Sequence, residues 1–202
     1  VWSPPVSATS DWLATWSRFR GSAEAVFDVG TGRRWTYRQL HHDARCWAGR
    51  LQAAGVSAGD RVALLALNRG ETLAILFAVA ELGAILLPLN WRLSPAELRW
   101  QLDNCEASVV LVDAEHASVP LQRPTLSLED GPGSTPVTGP GSALDDVWML
   151  MYTSGSTGRP KGAMLTHRQV HWNAVNTTLA CGLTETDATL TFAPMFHTGG
   201  MN

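Results

Sequence analysis

The chain has 202 residues, a net charge of −3, 45% hydrophobic residues and only 16% charged ones, against about 25% charged in an average globular protein. That balance excludes a disordered polyelectrolyte and supports a large core. The slight negative charge leaves no electrostatic footprint for nucleic acid, so no nucleic-acid partner is expected. Cys46, Cys105 and Cys181 form no CxxC pair and are odd in number, which speaks against a disulfide framework or a zinc cluster and fits a reducing cytoplasm. Buried structural roles are expected for them. The most apolar stretch, 62–89, is broken by Arg69, Glu71 and Glu81. It is too interrupted for the roughly 20 apolar residues of a membrane span, and no transmembrane segment is expected. Val1-Trp2-Ser3-Pro4-Pro5 lacks the basic and apolar regions of a signal peptide. The missing initiator Met and the stop after Met201-Asn202 read as cuts within a longer protein. Nothing in the sequence specifies an oligomeric state.

In chain order, Thr36 with Gln39 forms a capping-box signature, and Leu40, Ala44, Trp47, Ala48 and Leu51 recur at helical spacing until Gly55 offers a left-handed stop. The apolar run 61–67, bounded by Gly59-Asp60 and Asn68-Arg69-Gly70, predicts a strand buried on both faces. A helix over 71–82 and a strand over 84–87, closed by Pro88, follow. Ser94-Pro95-Ala96-Glu97 puts a cap, an N1 proline and a capping-box Glu in register for a helix toward Asn104. The next strand is 108–112. Segment 129–142 is rich in Gly, Pro, Ser and Thr and reads as a loop or a connection between subdomains. Beyond it, 146–152 predicts a strand, Thr166 with Gln169 caps a helix toward Cys181, and 188–192 predicts a further strand. This βαβα succession implies an α/β fold with a mostly parallel sheet covered by helices. The nine tryptophans show no spacing and read mostly as packing residues.

Fourteen of the fifteen basic residues are Arg; the single lysine is Lys161. It lies in Tyr152-Thr153-Ser154-Gly155-Ser156-Thr157-Gly158-Arg159-Pro160-Lys161-Gly162, placed between a strand and a helix. Three glycines let the backbone curl toward a ligand, while four hydroxyls and successive N–H groups can donate to phosphate oxygens beside the lysine charge. The pattern is that of a polyphosphate cradle rather than a plain Ser/Gly turn. It is not the Walker loop, because Pro160 stands where GxxxxGK[ST] requires glycine.

With this loop the sequence resembles the adenylate-forming enzymes, which include acyl-CoA synthetases, luciferases and the adenylation domains of peptide synthetases. Trp35-Thr36-Tyr37-Arg38-Gln39-Leu40, Gly59-Asp60-Arg61-Val62-Ala63, Leu89-Asn90-Trp91-Arg92-Leu93-Ser94 and Ala193-Pro194-Met195-Phe196-His197-Thr198-Gly199-Gly200 follow in the family's order and approximate spacing. The resemblance implies that residues 1–202 are an incomplete piece of the large N-terminal AMP-binding domain, with the 129–142 connection inside it. It also implies a C-terminal domain, absent here, that carries the family's catalytic lysine. No catalytic residue is therefore expected within the chain, and the piece alone is expected to be inactive.

The family's chemistry explains the loop. A carboxylate resists nucleophilic attack because it is already an anion, so these enzymes join it to the α-phosphate of ATP, release pyrophosphate and leave AMP as a good leaving group. Stabilising that transfer is electrostatic work for well-aimed donors and a metal ion. By the resemblance, Thr153, Ser154, Gly155, Ser156, Thr157, Gly158 and Lys161 bind the ATP phosphates, and Thr153 or Thr157 reaches Mg²⁺. By the same resemblance, Phe196, His197 and Gly199 are expected to line the acyl pocket. The implied partners are ATP, Mg²⁺, a small carboxylic acid, expected to be fatty or otherwise apolar, and CoA as acceptor. Two alternatives stay open: a peptide-synthetase adenylation domain, whose pocket reads an amino group through an aspartate, and a non-catalytic nucleotide-binding module.

Overall fold

The computed structural model describes residues 11–153 and 159–201. Helix α1 (Trp12–Phe19) starts at Asp11, whose carboxylate accepts from the Ala14 N–H at 2.8 Å. A two-stranded antiparallel hairpin follows, β1 (Glu24–Phe27) with β2 (Arg34–Thr36). These three elements are too short to leave a periodic signature. In α2 (Tyr37–Ala53) the expected capping box is formed: the Thr36 hydroxyl accepts from the Gln39 N–H, and the Gln39 side chain accepts from the Thr36 N–H at 2.9 Å.

The main sheet has six strands: β3 (Arg61–Leu65), β4 (Ile85–Pro88), β5 (Val109–Val112), β6 (Thr125–Ser127), β7 (Val147–Thr153) and β8 (Lys161–Thr166). Their order is β6-β5-β3-β4-β7-β8, parallel throughout except for the antiparallel β7–β8 pair. Helices α3 (Glu71–Glu81) and α4 (Pro95–Asn104) supply the crossovers, and α4 opens on the Ser94/Glu97 capping box. α5 (His167–Cys181) follows β8, and a short α6 (Thr198–Met201) closes the described residues.

The sheet separates two apolar cores, and β3 feeds both by alternation. Val62 and Leu64 pack with α2 and α3; Ala63 and Leu65 pack with Leu98 and Leu102 of α4. Consequently the connection after β3 and the connection after β4 leave on opposite faces, which opens a crevice between the carboxyl ends of these two strands.

Three expectations are corrected. Strand β8 is not foreseen, and it takes Lys161 and Gly162 out of the loop: Lys161 pairs with Thr153 and Gly162 with Tyr152. Segment 188–192 forms no strand among the described residues. Its alternation suits a half-buried strand, but no neighbouring strand completes the ladder, and Leu190 and Phe192 are exposed. Cys181 is exposed, whereas Cys46 is buried and Cys105 partly so. The reason is that α5 buries only His167 and Val170, leaving its last turn in solvent. The reading of most tryptophans as packing residues agrees with the fold: Trp35, Trp47 and Trp148 are core residues, while Trp16 and Trp172 are exposed.

Segment 129–142 runs between β6 and β7 of one sheet as a strap over α2 and α3. Val137 exchanges hydrogen bonds with Arg45, its N–H donating to the Arg45 carbonyl at 3.0 Å and its carbonyl accepting from Nε at 3.2 Å. Gly139 donates to Glu81 at 2.9 Å, and the Ser142 hydroxyl donates to the Ala80 carbonyl at 2.9 Å. Burial raises the Glu81 pKa, with the Gly139 N–H pulling the other way. No helix among the described residues is long and apolar enough to cross a membrane.

Candidate functional site

Parallel strands place their carboxyl ends on one edge of the sheet, and ligands of open α/β sheets bind where successive connections part to opposite faces. Here that point lies between β3 and β4. Asn68 follows β3; Trp91 and Arg92 follow β4. Segment 193–197 settles between them. The Asn68 carboxamide donates to the Ala193 carbonyl at 2.8 Å and accepts from the Met195 N–H at 2.9 Å. The ring of Phe196, itself buried, meets Trp91 edge-on with centroids 6.1 Å apart. The Arg92 guanidinium lies 4.8 Å from the Trp91 ring and 5.9 Å from the Phe196 ring.

Of the residues expected to line an acyl pocket, Phe196 is therefore packed into the crevice wall. His197 is exposed, with its ring 4.8 Å from that of Phe196. Its N–H closes a turn onto the Pro194 carbonyl, and its carbonyl accepts from Gly200 and Met201 at the start of α6. Gly199 faces open space, whereas a β-carbon on Gly200 would lie 2.5 Å from the Pro194 carbonyl oxygen. The glycine that the fold requires is thus the second of the pair. A cavity of about 690 Å³ borders this segment, lined by Asn68, Gly70, Leu73, Leu190 and Met195 among others; Phe196, His197 and Gly199 do not line it.

The expected phosphate-binding residues divide at the ends of β7 and β8. Ser154, Gly155, Ser156, Thr157 and Gly158 lie outside the described residues. Thr153, at the carboxyl end of β7, and Lys161, opposite it in β8, are both exposed and flank the loop. The Thr153 hydroxyl donates to the Lys161 carbonyl at 3.4 Å. Among the described residues Lys161 forms no ion pair. β7 is the parallel neighbour of β4, which brings this end of the hairpin to the same sheet edge as the crevice.

Tyr152 anchors the hairpin from below. Its hydroxyl donates to Asn104 Oδ1 at 2.6 Å and lies 3.3 Å from the Gln101 carbonyl, and its ring meets Trp100 edge-on. Burial, with Cys105 nearby, pushes the phenol pKa up to about 12, so it stays a donor. On the other side of the crevice, burial alone would raise the Asp28 pKa. The N–H groups of Gly70, at 2.8 Å, and Thr31, at 3.0 Å, outweigh it and hold the carboxyl below the ordinary range.

The sequence marks Asn68 only as part of the turn after β3 and Trp91 only as part of the 89–94 block. Asn68 carries no local signature, since its partners are more than a hundred residues away. The turn position after β3 was the available clue.

The profile of the family described as AMP-binding enzyme matches residues 13–202. A curated relative, feruloyl-CoA synthase of Amycolatopsis sp, is 41% identical over 201 residues, 94% of this chain and 40% of its own length. Among solved structures, o-succinylbenzoate CoA synthetase of Bacillus subtilis in complex with its acyl-adenylate intermediate is 28% identical with a TM-score of 0.86, covering 95% of this chain and 51% of that one. The same enzyme in complex with ATP and magnesium ion is 27% identical with a TM-score of 0.81, over 95% of this chain and 52% of that chain. The chain spans about 40% of the length of the first of these relatives.

Proposed function

The chain belongs to the AMP-binding enzyme family, and from that premise we propose that the whole protein activates a carboxylic acid with ATP and transfers the acyl group to CoA. In the first step a carboxylate oxygen attacks the α-phosphorus and pyrophosphate leaves. In the second the CoA thiol attacks the acyl carbon and AMP leaves. The match across residues 13–202, which includes both ends of the 154–158 loop, is the observation that carries this reading.

The residues at the sheet edge suit this chemistry. Lys161 offers a compact charge to the phosphates, and Thr153 a hydroxyl oxygen of the hard type that magnesium prefers. Thr157 is the alternative magnesium contact, and with Ser154, Gly155, Ser156 and Gly158 it completes the proposed cradle. Magnesium bound with ATP supplies positive charge beside the phosphate oxygens. Thr153, Lys161 and the loop hold the polyphosphate in place while the acid enters beside Phe196, His197 and Gly199.

For the acid we propose an apolar aromatic carboxylate in preference to a fatty one. Two observations support this: the relatives above are named for feruloyl and o-succinylbenzoate substrates, and Trp91 and Phe196 meet edge-to-face at the crevice.

Lys161→Ala in the whole protein tests the cradle. Loss of one well-aimed donor costs about 3 kcal/mol, so ATP–pyrophosphate exchange is expected to slow by about 100-fold. The circular dichroism should not change, because the side chain is exposed. Equal exchange rates in two folded proteins would remove Lys161 from the phosphate site.

A further inference from the structure

We propose that Asn68 is the positioning residue of the acid-binding segment: its carboxamide sets where Met195, Phe196 and His197 stand against Trp91, and so which acid is accepted. This deepens the adenylation reading and rests on it.

The geometry singles out Asn68 within its loop. Each neighbour is tied back into the first 130 residues. The Leu67 N–H donates to Asp113 at 2.9 Å. The Arg69 guanidinium bridges Glu71 at 3.1 Å and Glu129 at 2.8 Å. The Gly70 N–H donates to Asp28 at 2.8 Å, and a β-carbon there would lie 2.5 Å from the Trp35 ring. Asn68 alone in this run reaches forward, 125 and 127 residues along the chain, to Ala193 and Met195.

Segment 193–197 belongs to no strand ladder, and its other backbone bonds close its own turn or start α6. Beside the packing of Phe196 on Trp91, its hydrogen-bonded tie to the end of β3 among the described residues is one side chain that donates and accepts at once. A carboxamide does both. Aspartate keeps the shape and the acceptor for Met195 but loses the donor for Ala193; alanine loses both.

The test uses the full-length protein with Asn68→Ala and Asn68→Asp. Steady-state rates are measured for a series of aromatic and straight-chain acids, and hydrogen exchange is followed by mass spectrometry over residues 193–201. For Asn68→Ala the acid KM is expected to rise about 10-fold or more, the ratio of kcat/KM between acids to shift, and the KM for ATP to stay within about 2-fold. Exchange over 193–201 should quicken, and Asn68→Asp should fall between wild type and Asn68→Ala in every readout. If Asn68→Ala does not fold, Asn68→Asp carries the same comparison. Unchanged acid KM, unchanged discrimination and unchanged exchange overturn the proposal. So does a fall in kcat that leaves both KM values and the discrimination alone, because that is a general loss of active protein. A wild-type protein that forms no acyl-adenylate overturns the adenylation reading instead, and the exchange measurement then still decides whether Asn68 holds the segment.

Discussion

His167 shows how burial sets the chemistry of a single residue. It is 3% exposed and stacks on Trp148 with centroids 4.5 Å apart and planes 9° apart. Burial pushes its imidazole down to about 4, against an opposing pull from Asp146. Between about pH 4 and 6.5 the unfolded chain therefore binds a proton here that the folded chain refuses. The stability contributed by the neutral ring is full above the unfolded value and is lost as pH falls toward the folded one. Going from pH 7 to 4.5, the wild-type chain is expected to lose on the order of 2 kcal/mol more than His167→Phe, which keeps an aromatic ring without the titration. Urea unfolding at a series of pH values measures this; parallel stability curves for the two proteins would refute it. His197 stands in contrast. It is exposed, and its ring meets that of Phe196 at 4.8 Å with planes tilted by 49°.

At the scale of elements, the strap over α2 carries an unusual demand. Gly49 lies inside α2, where alanine would ordinarily stabilise the helix by about 1 kcal/mol. A β-carbon there would collide with the Thr135 carbonyl oxygen and press on the Val137 side chain. Backbone cannot swing aside as a flexible side chain does, so overpacking of about 1–3 kcal/mol outweighs the helix gain. Gly49→Ala is accordingly expected to destabilise the protein, with faster proteolysis in 131–142, and a stabilised variant would show that the strap does not press on α2. The capping boxes behave oppositely. Thr36 with Gln39, Ser94 with Glu97 and Thr166 with Gln169 each satisfy helix-end donors with residues three apart. Such chemistry is complete within four residues, which is why all three helix starts were legible in the sequence.

Across the whole molecule, one sheet supports two cores, and β3 tests whether they melt together. Leu64 belongs to the core with α2 and α3, Leu65 to the core with α4, at 4% and 0% exposure. Each truncation to alanine should cost about 2–5 kcal/mol. Because the two cores share β3, β4, β5 and β7, both variants are expected to unfold in a single transition shifted to lower denaturant. A second transition in either variant would show that the cores separate. The same sheet explains which features could be read in advance. Residues near one another in the chain were enough for the β3, α3, β4, α4 and β5 succession, for the mostly parallel sheet and for the Ser/Gly/Thr loop with its single lysine, because periodicity, caps and a contiguous motif need no distant partner. The strand order, the pairing of Lys161 with Thr153, the failure of 188–192 to become a strand, and the meeting of Asn68 with Ala193 and Met195 came only with the folded chain. The Asn68 contacts span 125 and 127 residues, the strand order depends on which strands pair across the sheet, and β8 (Lys161–Thr166) carries too little apolar alternation to announce itself. The crevice itself arises because the connections after β3 and β4 leave on opposite faces, a choice made when their helices bury apolar sides against different cores.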